Sequence, residues 1–197
     1  MGENKMTQEK LINRLEATQH LVDNAPEVLI VAGPGNAKFD LAGTGDRAQN
    51  FYIWNSLGMA PSIGLGLALA QSTQKVIVLD GDGGTLMNLG AFATIARMAP
   101  SNLVHIVWDN GQYQLTGGQL TATATVTDLA AMGKGAGIKN AVEIRSLSEF
   151  KAGLSTWLSE PGPWLIVAKT DDNPAPARPP KDTVQIKLRF MEAISAQ

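Results

Sequence analysis

The chain has 197 residues, 44% of them hydrophobic and 17% charged, enough for one domain with a substantial core and too apolar for a disordered segment. Lysine and arginine number 16 against 18 acids, a net charge of −2, and without a basic run of any length nucleic acid is not an expected partner. Cysteine is absent, which excludes disulfides and thiol chemistry; no apolar run approaches the roughly 18 residues that span a bilayer, and MGENKMTQEK lacks the apolar centre of a signal peptide, so a cytoplasmic protein with no membrane partner is expected.

Residues 7–21 place Leu11, Ile12, Leu15 and Leu21 at helical spacing among charged residues, with Thr7 as a cap. His20, near the end, reads as solvated or capping and not as a ligand. Val28-Leu29-Ile30-Val31 is a continuous apolar run of the kind that buried parallel strands show. It opens into Ala32-Gly33-Pro34-Gly35-Asn36, a turn by composition. Such a loop either carries the chain across or joins a ligand crevice at the carboxyl end of the strand, and Gly35 and Asn36 are the candidates for the second role. After the polar stretch 42–47, residues 51–54 read as a short strand that Asn55-Ser56-Leu57-Gly58 breaks. Residues 61–71, PSIGLGLALAQ, begin with a proline suited to the first turn of a helix. They are apolar on every side, which predicts a helix buried between layers or against another subunit. Gly64 and Gly66 each lower helix propensity by about 1 kcal/mol, so a close neighbour is expected there.

The densest chemistry lies in residues 76–112. Val76-Ile77-Val78-Leu79 ends in Asp80-Gly81-Asp82-Gly83-Gly84, and a helical pattern over 85–99 follows, with Leu86, Leu89, Phe92 and Ile95 on one face. A second run, 103–108, stops at Asp109-Asn110-Gly111. His105, mid-strand among apolar residues, reads as a satisfied core histidine. Two parallel strands joined by a right-handed crossover end at the same edge of a sheet, so Asp82 and Asn110 are expected to meet. Their separation suits a crossover holding one helix of about a dozen residues. A carboxylate, an amide oxygen and a carbonyl from the next loop are hard oxygen ligands, which Mg²⁺ accepts when phosphates and water complete its octahedron. Gly83 and Gly84 let the backbone approach a phosphate, and the helix N-terminus after them favours its charge. The predicted ligand is a diphosphate held through a divalent metal.

Further on, 125–137 reads as a helix, 141–144 as a strand, 146–159 as a helix with Phe150, Leu154 and Leu158 on one side, and 164–168 as a last strand. That alternation predicts an α/β fold with a doubly wound parallel sheet and helices on both faces. Residues 1–171 are the expected domain, and 172–197 are expected to be a proline-rich extended linker and a helical tail.

Gly81-Asp82-Gly83 after a buried strand, with Asn110 at the end of the next, resembles the signature of thiamine diphosphate (ThDP) enzymes. The resemblance implies the diphosphate-binding domain of that fold, with ThDP and Mg²⁺ as cofactors. It implies Mg²⁺ on Asp82, the Asn110 side chain and the Gln112 carbonyl, and the diphosphate against Gly81, Gly83, Gly84 and Thr85. It also implies that Leu57 is the bulky residue that bends the cofactor, its N–H facing a ring nitrogen while the Asn55 carbonyl accepts from the exocyclic amine; the alternative is that Leu57 merely packs a loop. Gly35, Asn36 and Tyr113 complete the implied cofactor set.

Residues 111–121 narrow the likeness. Gly117-Gly118-Gln119 followed by Thr121, with Ser56-Leu57-Gly58 and Arg189-Phe190-Met191-Glu192-Ala193, looks like the diphosphate-binding part of phosphonopyruvate and sulfopyruvate decarboxylases, over most of the chain from about residue 28. Tyr113-Gln114 stands where the phosphonopyruvate enzymes usually have His-Glu, and Leu120 where they have Pro. Asp109-Asn110 stands where they usually have Asn-Asn, although Asp-Asn also occurs among sulfopyruvate decarboxylases. The last change leaves the metal ligand in place. The other two leave the substrate open, and Gln114, Thr116 and Gln119 are the candidates for its distal anionic group.

In enzymes of this kind the activating glutamate lies in a separate domain of similar fold. Glu16, Glu27 and Glu143 do not sit in a matching stretch. The resemblance therefore implies a pyrimidine-binding partner subunit in a hetero-oligomer, α2β2 or larger, and a reaction in which a small 2-oxo acid loses CO₂. Carboligation to an acetohydroxy acid, or acyl transfer, is the enzymatic alternative. A non-catalytic nucleotide-binding α/β domain, with Asp82 only a turn residue, is the alternative of another class.

Overall fold

The computed structural model describes residues 11–195. Six parallel strands form one sheet: β1 (Leu29–Ala32), β2 (Asn50–Tyr52), β3 (Val76–Gly81), β4 (Leu103–Asp109), β7 (Asn140–Ile144) and β8 (Trp164–Lys169), in the order β2-β1-β3-β4-β8-β7. Between β4 and β7 the short strands β5 (Gln112–Tyr113) and β6 (Gln119–Leu120) pair antiparallel as a separate hairpin. Eight helices cover the sheet: α1 (Arg14–Asn24), α2 (Asn36–Gly43), α3 (Ala60–Ala70), α4 (Asp82–Met87), α5 (Gly90–Met98), α6 (Leu129–Gly135), α7 (Leu147–Ser159) and α8 (Thr183–Ser195).

The strands are mostly apolar because both faces are covered, and the pleat sends alternate residues into two core layers. Ile30, Ile77, Leu79, Val104, Ile106 and Ile166 meet Leu21, Leu41 and Phe150 from α1, α2 and α7. Leu29, Val31, Val76, Val78, Leu103 and Leu165 meet Leu65, Phe92 and Leu129 from α3, α5 and α6. The α8 helix closes the β2 edge, with Ile186 in the first layer and Phe190 in the second. Arg189 anchors it by pairing with Asp46, whose carboxylate also accepts from the Tyr52 hydroxyl at 3.0 Å. The chain runs outward from β1 to β2 and then returns to the other side of β1 as β3. The sheet order therefore reverses between β1 and β3, and a crevice opens there at the carboxyl edge.

Several elements differ from expectation. Thr7 lies outside the described residues; α1 starts at Arg14, and Asn13 caps it by accepting the Glu16 N–H at 2.9 Å. Ile12 is buried outside the helix, in a bridge to Thr170. The crossover is two helices, not one. Asn88 leaves helical geometry between them because its amide donates to the Gly58 carbonyl at 3.0 Å and to Ser62 Oγ at 3.2 Å, which ties the crossover to the loop before α3. The helix expected from 125 is shortened to α6, capped by Asp128, because the preceding threonines fold into a 3₁₀ turn, Ala122–Ala124. On α3 only one face is buried. Gly64 packs so closely on Val78 that a Cβ would overlap it, while Leu69 is exposed.

The expected satisfied core histidine is corrected as well. His105 is buried against Phe92, ring centroids 6.1 Å apart, and among the described residues neither ring nitrogen has a hydrogen-bond partner. Its strand neighbours present only apolar groups, and burial drives its pKa down to about 3. Below the unfolded value near 6.5 the unfolded chain takes a proton that the folded chain refuses. Stability is therefore lost as pH falls from about 6.5 towards 3, by close to a factor of ten in the folding equilibrium per pH unit. His105→Leu is expected to abolish that component. Urea melts at pH 7 and pH 4.5 should show the variant gaining on wild type by about a hundredfold in the folding equilibrium at the lower pH, and equal gains at both would refute the assignment.

Candidate functional site

The crevice is a cavity of about 420 Å³. Each wall comes from the end of a strand. Gly35 and Asn36 follow β1; Asn55 and Leu57 follow β2; Gly81 ends β3, and Asp82, Gly83 and Gly84 follow it; Asn110, Gln112, Tyr113, Gln114 and Thr116 follow β4. Of the residues singled out in the sequence, Thr85 and Gln119 alone do not line it. Thr85 lies fully buried in α4. Gln119 sits on exposed β6, its amide donating to the Thr116 carbonyl at 3.1 Å.

The glycines are where backbone must come close. A Cβ on Gly83 would overlap the Tyr113 ring, and one on Gly84 would meet the Asp80 carboxylate at 2.5 Å. Asp80 itself is wholly buried, its Oδ1 accepting the Gly81 N–H at 2.9 Å, and burial, with the Asp82 charge adding to it, pushes its pKa up to about 7. Gly35 adopts φ +114 as the N-cap of α2 and gives no side-chain cap, so the first N–H groups of that helix are left for another acceptor.

Asp82 is 2% exposed. Its Oδ2 accepts from the hydroxyls of Thr121 at 2.5 Å and Thr123 at 3.0 Å. Thr123 Oγ1 also lies 2.7 Å from Asp109 Oδ1, so its single proton is shared between two buried acids. Burial raises the Asp82 pKa and the Asp109 charge adds to the rise, while Thr121, Thr123 and the Gly83 N–H oppose it. Asp109 is compensated from the far side by Lys169, whose ammonium lies 2.5 Å from Oδ2. Among the described residues Asp82 has no cation of its own. Asn110 Oδ1 accepts the Gln112 N–H at 3.2 Å and its amide donates to Gln114 Oε1 at 3.0 Å.

The 111–121 loop begins with Gly111 at φ +70 and closes on itself through the Thr121 N–H, which donates to the Gly111 carbonyl at 2.9 Å. Gln114 holds it at two ends: Oε1 accepts from Asn36 at 2.6 Å, and the amide donates to the carbonyl of Asp172. Residues 171–174 reach this loop because Arg14 clamps them from below. Its guanidinium, buried against Asp40 at 2.9 Å, donates to the carbonyls of Asp171 at 2.6 Å and Asn173 at 2.5 Å. Trp54 Nε1 pins the same segment further on through the Pro180 carbonyl at 2.7 Å. It forms a strap beside the cavity mouth.

Sequence reading missed Thr123, Lys38, Arg14 and Asp172. Thr123 had a signal, since hydroxyls two apart in a loop after a metal-type aspartate can both reach one carboxylate. The other three carry none, because each acts across a loop or a strap that no periodicity describes.

The donors gathered here are one carboxylate, one amide oxygen and backbone carbonyls. Among the described residues no three His, Cys, Asp or Glu side chains cluster around a metal position, so an ion held here needs oxygens from its ligand to complete its shell. Mg²⁺ bound through a diphosphate meets that requirement, and the residues present fit it. No helix of the described residues is long and apolar enough to cross a membrane.

Comparison with known proteins agrees with this geometry. Residues 35–168 match the model of the thiamine pyrophosphate enzyme family, C-terminal TPP binding domain. The chain is 40% identical to the sulfopyruvate decarboxylase subunit beta of Methanocaldococcus jannaschii, over 92% of this chain and 96% of that one. It is 38% identical to the phosphonopyruvate decarboxylase of Streptomyces viridochromogenes over 78% of this chain, but spans only 38% of that protein. The benzoylformate decarboxylase of Polynucleobacter necessarius has the same fold, with TM-score 0.72 and 19% identity over 91% of this chain and 36% of that one. The chain belongs to the thiamine pyrophosphate enzymes, as their C-terminal TPP-binding domain.

Proposed function

We propose that this chain is the diphosphate- and Mg²⁺-binding subunit of a two-subunit, ThDP-dependent 2-oxo acid decarboxylase of the sulfopyruvate or phosphonopyruvate type. One observation carries the reading: the cavity gathers oxygen donors and close-approach glycines, yet among the described residues Asp82 is the only carboxylate that lines it. The site can hold a metal diphosphate but lacks the acid that would engage the pyrimidine ring. A partner chain supplies that glutamate, at a rim where Leu57, Met59 and Met87 stand 43%, 43% and 59% exposed. The relatives that match end to end bear the name subunit beta, which supports the same division of labour.

In this reading Asp82 ligates through Oδ1, since Oδ2 is taken by two threonine hydroxyls. Asn110 Oδ1, which here accepts the Gln112 N–H, and the Gln112 carbonyl would supply the other protein oxygens. A divalent cation also removes the mismatch at Asp82, a buried acid raised by a neighbouring acid, because it favours the charged form. Gly81, Gly83, Gly84, Gly35 and Asn36 face the diphosphate. The α4 helix is too short for a large dipole, so its individual N–H groups meet the charge. Thr85 supports them from below, next to Asp80. Leu57 and the Asn55 carbonyl flank the pyrimidine, and Tyr113 covers Gly83. Gln114 and Thr116 reach the substrate, while Gln119 holds the Thr116 backbone. Bound ThDP supplies the electron sink that lets the 2-oxo acid lose CO₂; the chain's own groups position it and keep water out.

The test is co-expression with a candidate pyrimidine-binding chain and assay of CO₂ release from sulfopyruvate and phosphonopyruvate. The pair should be active and this chain alone inactive. Turnover by this chain alone, or a stable pair that binds no ThDP, would overturn the reading.

A further inference from the structure

Two lysine or arginine side chains are buried among the described residues, Arg14 and Lys38, each 3% exposed. Arg14 has the Asp40 carboxylate at 2.9 Å. Lys38 forms no ion pair with any described residue. Its ammonium donates to the Ile53 carbonyl at 3.2 Å and lies 4.1 Å from the centroid of the Trp54 ring and 5.2 Å from that of Phe39. A carbonyl and two ring faces attract a cation without neutralising it. An ammonium has three donors, and here one is used.

Burying a charge without a counter-charge is unfavourable, and burial lowers the Lys38 pKa to about 8. Lys38 also lines the cavity, alongside Gly35 and Asn36. It belongs to the first turn of α2, an eight-residue helix whose cap, Gly35, offers no side-chain acceptor. An unpaired cation and unpaired N–H groups thus stand on one wall of the cavity. What both lack is an oxyanion.

We propose that Lys38 is an anion-binding residue of this cavity: its ammonium and the uncapped first turn of α2 together hold an oxyanion, the phosphate end of the cofactor or the acid group of the substrate. The proposal rests on the cofactor reading above. It gives the wall after β1 a positive charge near neutral pH, while the metal serves the wall after β3 at Asp82.

The test uses Lys38→Met, which keeps the aliphatic stem, with Lys38→Arg as the charge-retaining control. Calorimetry with magnesium pyrophosphate on the full chain is read beside the KM of the assembled enzyme for its 2-oxo acid. Loss of a charged hydrogen bond predicts a ten- to hundredfold weakening of about the size such bonds usually contribute, with partial recovery in Lys38→Arg. A weaker pyrophosphate Kd assigns the anion to the cofactor; an unchanged Kd with a raised KM assigns it to the substrate. The melting temperature of Lys38→Met should not fall, because the variant removes a buried uncompensated charge. Unchanged Kd and KM, whatever the melting temperature, would overturn the proposal while leaving the cofactor reading intact. Failure of the wild-type chain to bind pyrophosphate and of the pair to bind ThDP would overturn that reading itself.

Discussion

Asp82→Asn should weaken Mg²⁺-dependent ThDP binding by about a hundredfold or more, without destabilising the chain in the absence of cofactor. The first effect follows from removing the one charged donor of the site. Breaking a buried ionic contact by deleting one partner costs about 3–5 kcal/mol, and about 3 kcal/mol is already two decades in a dissociation constant. The second follows from the electrostatics of the site without metal. Asp82 is buried, its pKa is raised, and Asp109 repels it. An amide relieves that repulsion, and its oxygen still accepts from Thr121 and Thr123. Calorimetry with ThDP and Mg²⁺, paired with urea melts of the free chain, reads both. Unchanged binding would remove Asp82 from the site; lost binding accompanied by a large loss of stability would reduce it to a structural residue.

Lys169→Met should be the strongly destabilising change. Lys169 lies 2.5 Å from Asp109 Oδ2, and Asp109 is 3% exposed. Without the ammonium, Asp109 keeps only the Thr123 hydroxyl and the Gly111 N–H, and an acid left unpaired in the interior is worth about 3–5 kcal/mol of lost stability. Glu143, 3.9 Å from Lys169 and a quarter exposed, contributes little beside it. Adding Asp109→Asn removes the stranded charge, so the double variant should recover most of the loss. Denaturant melts of the two single variants and the double one form the cycle. Additive losses would show that the two side chains do not act as a pair.

Much of this arrangement was legible in the chain because it follows from local chemistry. The buried runs at 76–79 and 103–108 could only be parallel strands with a crossover between them, and that alone brings Asp82 and Asn110 to one edge. What was not legible depends on contacts that only the folded chain creates. Asn88 splits the crossover because Gly58, thirty residues earlier, needs a donor, and nothing in 85–99 announces this. Thr121 was read only as part of the loop and Thr123 was not singled out, yet both bind the carboxylate at the centre of the site. The strand 103–108 told that His105 is buried but not that its neighbours offer it no partner. Lys38 was not singled out, and the helix Asn36–Gly43 that carries it was not read from the sequence. Lys38 became notable only when the fold put two aromatic rings around it and no acid.

The loop from Gly111 to Thr121 is fastened by a few side chains: Gln114 to Asn36 and to the strap at Asp172, Gln112 to the Asp172 carboxylate, and Thr121 to Asp82. None of those contacts belongs to the ladder of the six-stranded sheet. Swinging the loop outward therefore breaks a handful of polar contacts and leaves every long strand paired. A ligand trapped behind Tyr113 can leave, and its replacement can enter, on the timescale of a loop opening and not of global unfolding. In the cofactor reading, ligand exchange then depends on the polar contacts of Gln112, Gln114 and Thr121, and it can vary independently of how firmly the domain is folded.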